Sequence, residues 1–137
     1  MPIPLLFKEL VTLQKRAVRH ITCSRSRDHT SNLFKSLNLL KLHDVINLNT
    51  VTFTYKLTHN LLPSLFSDFY THNYSVHGYN TRQSGHLHIP TTSSSSNCKS
   101  FRYRAVRLWN TIPSQLKSKP NLISFRSNFS RYIINDY

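Results

Sequence analysis

Basic and aromatic side chains alternate along residues 101 to 113, FRYRAVRLWNTIP, which contain the chain's one tryptophan. Arg104 and Arg107 lie one helical turn apart, and Tyr103 precedes Arg107 by four residues, so a helix would place the three side chains together. Arginine binds phosphate and a tyrosine ring stacks on bases, which makes this group a candidate nucleic-acid contact. The same spacing also fits a solvated basic stripe, and both interpretations stay open.

The apolar residues of this stretch occupy another side of the same helix. Phe101, Ala105, Leu108, Trp109 and Ile112 follow the spacing i, i+4, i+7, i+8, i+11 of a single face. We therefore expect the tryptophan to anchor a core rather than to stack on bases.

Carboxylates are too few and too scattered to indicate a catalytic metal centre. The 5 acidic residues are Glu9, Asp28, Asp44, Asp68 and Asp136. Two-metal phosphoryl transfer needs clustered carboxylates to hold the ions. The chain also lacks a GxSxG elbow and a glycine-rich phosphate loop. We predict no catalytic residue, and hence no enzyme activity, for this chain itself.

Histidine and cysteine could instead bind zinc. Two loose groups are present: His20, Cys23 and His29, and then His86, His88 and Cys98. Neither group has the four closely spaced ligands of a zinc finger or knuckle. We predict no metal and no cofactor; a zinc protein would require stoichiometric metal in the purified chain.

The charge balance indicates a polyanionic partner. Lys and Arg number 18 against 5 Asp and Glu, a formal net charge of +13. Such an excess is typical of proteins that bind RNA or DNA, or that dock a basic face on an acidic neighbour.

The N-terminal run MPIPLLFKELVTL has some features of a signal peptide. Lys8 and Glu9 interrupt it, however, and no small-residue cleavage site follows. No segment reaches the roughly 18 consecutive apolar residues that span a bilayer. We expect no membrane partner and an intracellular location, nuclear or cytoplasmic.

Helices must position these residues. Residues 4 to 22 have a helical period, with an apolar stripe opposite a cluster of basic side chains. The stripe is Leu6, Leu10, Leu13, Ala17 and Ile21, and the basic cluster is Lys8, Lys15, Arg16 and Arg19. Thr30 or Ser31 is expected to cap a short second helix. Pro63 precedes a helical turn, and Asn121 is expected to cap a last helix with Leu122, Phe125, Phe129 and Ile133 on one stripe.

Residues 42 to 60 fit two structures. Their apolar positions continue in helical register, yet NTVTFTYKLT also alternates with the period of a strand. Because no turn signal interrupts the register, we predict a helix. The fold class is then all-α: a helical N-terminal part (1–70), a flexible Ser/Thr/His-rich loop (71–98), with a short strand pair as an option in or beside it, and a helical C-terminal part (99–137).

Seven short motifs follow one another along nearly the whole chain. They are LQKRAVRHIT (13–22), LFKSLNLLKL (33–42), YK (55–56), NLLP (60–63), GYNTR (78–82), RLWNTIP (107–113) and SF (124–125). In this order and spacing they resemble the region downstream of the polymerase core in non-LTR retrotransposon reverse transcriptases, the LINE-type, jockey-like class. The ordered set carries the resemblance, since no single motif is diagnostic. The threonine-rich segment 50–54 and the serines at 93–96 depart from the family's usual helix formers.

The resemblance implies a C-terminal fragment of an RNA-directed DNA polymerase whose catalytic aspartates lie upstream. In that family the polymerase copies element RNA at a nicked DNA target. Membership would make six basic residues candidates for holding template RNA or target DNA: Lys15, Arg16, Arg19, Arg82, Arg104 and Arg107. Tyr103 joins them through its spacing to Arg107.

Two functions of different classes are then open. The first is a non-catalytic segment that binds nucleic acid and acts as a scaffold for the polymerase. The second is a structural module whose apolar stripes, on the first and last helices, pack against the polymerase core, so that the charge is incidental. A non-functional remnant of the retroelement is a further alternative.

Overall fold

The structure, a computed structural model, describes residues 5–76, 78, 82–91 and 100–137. These residues are mostly helical, as predicted for an all-α chain. The helices are α1 (Leu5–Ile21), α2 (Thr30–Ser36), α3 (Leu42–Thr58), α4 (Asn73–Val76), α5 (Phe101–Thr111), α6 (Ser114–Lys117) and α7 (Leu122–Asn135), with a 3₁₀ helix at Ser64–Phe69 between α3 and α4. In the described ranges one isolated antiparallel bridge pairs His72 with Leu87.

The chain forms two compact units. Unit 1 comprises Met1–Leu48 and Arg126–Tyr137, and unit 2 comprises Asn49–Phe125. Helices α3 and α7 therefore each contribute residues to both units. The flexibility predicted for 71–98 stays a prediction, and residues 77, 79–81 and 92–98 of that loop lie outside the described part.

Aromatic rings form the centre of unit 2. Tyr55 and Phe125 are 1% and 0% exposed, and their rings stack with centroids 4.6 Å apart. The ring of Trp109 lies 5.9 Å from that of Phe125 and is almost fully buried. The Tyr55 hydroxyl donates to the Lys119 carbonyl oxygen at 2.7 Å, so its polar end is satisfied. The prediction that Trp109 is a core residue is confirmed.

Helix α3 resolves the ambiguity around residue 50 in favour of the helix. Thr50, Thr52 and Thr54 are all buried in it. The Thr54 hydroxyl donates to the Thr50 carbonyl oxygen at 3.1 Å, so this buried polar group has a partner within the helix. Threonines thus lie inside a helix that is buried on several sides, and their alternation with apolar residues only imitates a strand.

One side of α1 packs on the segment that leads into α3. Val18 is 2% exposed, and the Gln14 carboxamide bonds at both ends of its side chain. Its Nε2 donates to the Leu40 carbonyl oxygen at 2.9 Å, and its Oε1 accepts from the Leu42 amide at 3.0 Å. A polar residue at the edge of the buried face therefore fixes the start of α3.

Helices α1, α2 and α3 are each followed by the same type of turn. A residue with left-handed backbone follows each of them: Cys23 (φ 50°), Asn38 (φ 53°) and Asn60 (φ 55°). The amide of the next residue then bonds to the carbonyl five residues back, as Ser24 to Arg19 at 3.0 Å, Leu39 to Phe34 at 2.9 Å and Leu61 to Lys56 at 2.8 Å. This is the Schellman arrangement, which usually places glycine at the left-handed position. The chain has only 2 glycines, so asparagine and cysteine occupy these positions instead.

The helix starts agree only in part with the sequence. Asn121 caps α7 as predicted, since its Oδ1 accepts from the Ser124 amide at 2.7 Å. The expected cap of α2 at Thr30 or Ser31 is wrong. His29 is the N-cap and forms no side-chain cap bond, whereas Thr30 is the first helical residue and is buried. Thr30 is therefore a buried residue of the first turn and not the cap.

Tyr137 fastens the last residues of unit 1 to the start of α3. Its hydroxyl donates to Asp44 Oδ2 at 2.6 Å and accepts from the Lys41 amide at 2.9 Å. Burial raises the pKa of Tyr137 above the ordinary 10.0, and the hydrogen bond and charge of Asp44 raise it further. The folded chain therefore keeps this proton at a pH where the unfolded chain loses it.

We expect Tyr137→Phe to lower the free energy of unfolding by about 1–3 kcal/mol at neutral pH, because Asp44 and the Lys41 amide lose a partner. The stabilising effect of Tyr137 is fully present below pH 10 and is lost as the pH rises above it, because only the unfolded tyrosine ionises there. Denaturant titrations between pH 7 and 11 should therefore show less alkaline destabilisation in Tyr137→Phe. Tyr132→Phe, at a half-exposed ring of the same unit, should behave like the parent chain.

Candidate nucleic-acid interface

The basic residues predicted on α1 differ in their availability. Lys15 and Arg16 are exposed, and their side chains form no bond with the described part of the chain. Arg19 is half-buried, and its guanidinium donates twice to the Asp28 carbonyl oxygen, at 3.3 and 3.0 Å. Lys15 and Arg16 are therefore free to contact phosphate, whereas Arg19 also holds the turn that follows α1.

The basic group predicted on α5 forms as its spacing indicates. The guanidinium carbon of Arg107 lies 5.7 Å from the centroid of the Tyr103 ring. Arg104 and Arg107 are exposed, but Tyr103 is half-buried. The tyrosine thus supports the guanidinium by a cation–π contact more than it offers a free face for stacking.

A cavity of about 430 Å³ opens in unit 2 beside Arg107. Gln83, His86, His88 and Asn110 also line it. Arg82 is exposed and directly precedes Gln83 in the chain. The fold therefore brings the segment that carries Arg82 and the α5 arginine to one place, although 25 residues separate them in sequence.

Hydrogen bonds hold the described parts of 71–91 against α5. The Asn110 carboxamide accepts from the Leu87 amide at 3.1 Å and donates to the Leu87 carbonyl oxygen at 2.8 Å. Asn73 bonds twice to the same segment. Its side-chain amide donates to the Gln83 carbonyl oxygen and its backbone amide donates to the His86 carbonyl oxygen, both at 2.9 Å. Leu87 is 1% exposed as a result. One wall of the cavity is thus a segment anchored by specific bonds.

Most residues of this cavity cannot be found from the sequence pattern. In the sequence, His86 and His88 are candidates only as metal ligands, and Asn110 is only a member of the RLWNTIP motif. The bond between Asn110 and Leu87 joins residues 23 positions apart, and no local sequence pattern predicts it. A carboxamide in the last turn of an amphipathic helix is a weak hint that it reaches outside the helix.

The apolar stripe predicted on α1 lies at the surface. Leu6, Leu13 and Ile21 are 68%, 57% and 65% exposed, and Leu10 and Ala17 are exposed as well. The apolar arc of α1 is wider than the face that packs, because Phe7, Val11 and Val18 occupy its other half. The stripe of α7 differs, since Phe125 and Phe129 are buried within this chain.

Two further findings concern the described residues alone. They contain no group of three or more His, Cys, Asp or Glu side chains placed to hold a metal ion. Among their helices, none combines the length and the apolar character that crossing a bilayer requires.

Comparison with known proteins yields no match: no family model, no curated protein and no solved structure corresponds to the chain. The resemblance of the ordered motifs to retrotransposon reverse transcriptases is an expectation from sequence. The physical basis for a function is then the charge of α1 and α5 and the cavity beside Arg107.

Proposed function

We propose that the chain is a non-catalytic nucleic-acid-binding and scaffold segment of a retrotransposon RNA-directed DNA polymerase, in contact with template RNA or target DNA. The net charge of +13 is the observation that carries this proposal. Much of that charge is available: Lys15, Arg16, Arg104 and Arg107 are exposed and form no ion pair with the described residues. Cations without internal partners favour an anionic ligand because binding releases the ligand's counterions.

The assignment to a polymerase rests on the motif resemblance, whereas the proposal of nucleic-acid binding rests on the net charge and the exposed basic side chains. The two can therefore be tested separately. A tyrosine-x-Asp-Asp palm motif encoded in frame upstream would support the first. Salt-dependent binding by the purified chain would support the second.

Binding is tested by titrating labelled single-stranded RNA and duplex DNA at several salt concentrations. We expect the logarithm of the affinity to fall with the logarithm of salt by about 0.7 per phosphate contacted on single strands and about 0.9 on duplex DNA. Arg104→Gln combined with Arg107→Gln should weaken binding by roughly tenfold and reduce the slope, because two phosphate contacts are lost.

The matched control is Arg126→Gln combined with Arg131→Gln, two exposed arginines of α7. Both double variants lower the formal charge by two, so the control measures the effect of charge alone. We expect its affinity to fall by no more than about threefold. Absence of binding even at low salt would exclude the proposal.

A second candidate is a structural module that packs against the polymerase core. The exposed stripe on α1 favours it, since a contiguous row of leucine and isoleucine at the surface usually marks an interface. The stripe of α7 offers less such surface, because Phe125 and Phe129 are buried within this chain. Two results together would favour this candidate. The two arginine double variants would bind nucleic acid with equal affinity, and the chain would self-associate in a way that Leu10→Ser and Leu13→Ser abolish.

A further inference from the structure

The cavity in unit 2 combines a positive charge with planar polar groups and an apolar wall. The Arg107 guanidinium has its cation–π contact with Tyr103 but no hydrogen bond to the described residues. The side chains of Gln83 and His86 also have no partner there. Ile89, which is 41% exposed, supplies apolar surface. Three polar groups thus converge on one space with their bonding capacity unused.

This lining restricts the chemical class of the ligand. Among the described residues that line the cavity there is no aspartate or glutamate, so the lining is suited to an anion and not to a cation. Its volume of about 430 Å³ lies in the range of small-molecule sites, which is roughly 300–1,000 Å³. A ligand with a negative charge, a flat ring and hydrogen-bonding edges would use every group present. A nucleotide has all three.

We propose that this cavity binds one unpaired nucleotide of a single-stranded nucleic acid, with the phosphate on Arg107 and the base against His86 and Gln83. The inference rests on the nucleic-acid binding proposed above and assigns it a specific site. Histidine rings stack on unpaired bases, and carboxamides bond to base edges. A base in a duplex is stacked and paired, so the site would select single strands.

The site is built before any ligand arrives. Asn110 and Asn73 fix the backbone at Leu87, Gln83 and His86 through bonds of 2.8 to 3.1 Å. Helix α5 carries Arg107, which also lines the cavity. Because the backbone that carries Gln83 and His86 is already held, binding does not have to order this segment, which favours a defined site over diffuse attraction.

The test uses the whole chain with three probes: a uridine hexanucleotide, a thymidine hexadeoxynucleotide and uridine monophosphate. We expect both hexamers to bind and to shift the imidazole NMR signal of His86. Arg107→Gln and His86→Ala should each weaken hexamer binding by roughly tenfold, the loss typical of one stacked or bonded nucleotide. Arg126→Gln and His29→Ala, exposed residues of unit 1, should weaken it by less than about threefold.

The outcomes separate this inference from the proposed function. If hexamers bind but the cavity variants match their controls, the nucleotide site is excluded while nucleic-acid binding stands. If no strand binds at low salt, both proposals fail. If the monophosphate binds as tightly as the hexamers, the site recognises a free nucleotide and not a strand. The His86 signal of the unsubstituted chain provides a readout that does not depend on the folding of a variant.

Discussion

Replacement of Phe125 by alanine is expected to lower the free energy of unfolding of unit 2 by about 3–5 kcal/mol. The ring is 0% exposed, stacks on Tyr55 at 4.6 Å and lies 5.9 Å from Trp109, so its removal leaves a cavity between two aromatic rings. Domains of this size are typically stable by only about 5–15 kcal/mol. The substitution should therefore remove a large part of the stability of unit 2.

Denaturant unfolding followed by Trp109 fluorescence measures this effect directly, since the chain has one tryptophan and it lies beside Phe125. Ile123→Ala is the control on the same helix, because that side chain is 82% exposed. We expect it to change the free energy of unfolding by no more than about 0.5 kcal/mol. Similar losses for the two variants would contradict the core described for unit 2.

Replacement of Asn110 by alanine should release the segment around Leu87. The Leu87 amide and carbonyl would both lose their partner, at a cost of about 1–3 kcal/mol for each buried group left unpaired. We expect hydrogen exchange at the Leu87 amide to accelerate by roughly a hundredfold, which corresponds to about 2.7 kcal/mol. Nucleotide binding at the cavity should weaken in parallel, because one wall is no longer fixed.

Two further variants give this experiment its controls. Asn110→Asp keeps an acceptor for the Leu87 amide but removes the donor to its carbonyl oxygen, so we expect about half of the effect in kcal/mol. Gln115→Ala removes an exposed carboxamide whose side chain has no described partner and should leave Leu87 unaffected. Unchanged exchange at Leu87 in Asn110→Ala would show that the two bonds do not hold the segment.

Local patterns were sufficient to predict α1, α2, α3, α5 and α7, but not the short helices α4, which lies in the predicted loop, and α6. The apolar period gave α1, the phase of α5 placed Trp109 in the core, and Asn121 marked the start of α7. Each of these features depends on residues within a few positions of one another. Side-chain chemistry acts over such distances without reference to the rest of the fold.

Features that depend on distant residues could not be predicted. The apolar arc of α1 is visible in sequence, but which half is covered depends on Gln14 and its partners Leu40 and Leu42. The cavity depends on Asn110 reaching a residue 23 positions earlier. Six basic and aromatic candidates could be named from type and spacing, and Arg82 was added by the family resemblance, whereas Gln83, His86 and Asn110 could be found only from the fold.

The stability of this chain can be increased at the three left-handed turns after α1, α2 and α3. A side chain at such a backbone angle is strained by about 1–2 kcal/mol, less so for asparagine, while glycine is not. Cys23 is thus the position where glycine would relieve most strain, ahead of Asn38 and Asn60. None of the three lines the cavity beside Arg107. Glycine at these positions would give a more stable parent chain. Destabilising substitutions at that cavity could then be studied in a chain that still folds.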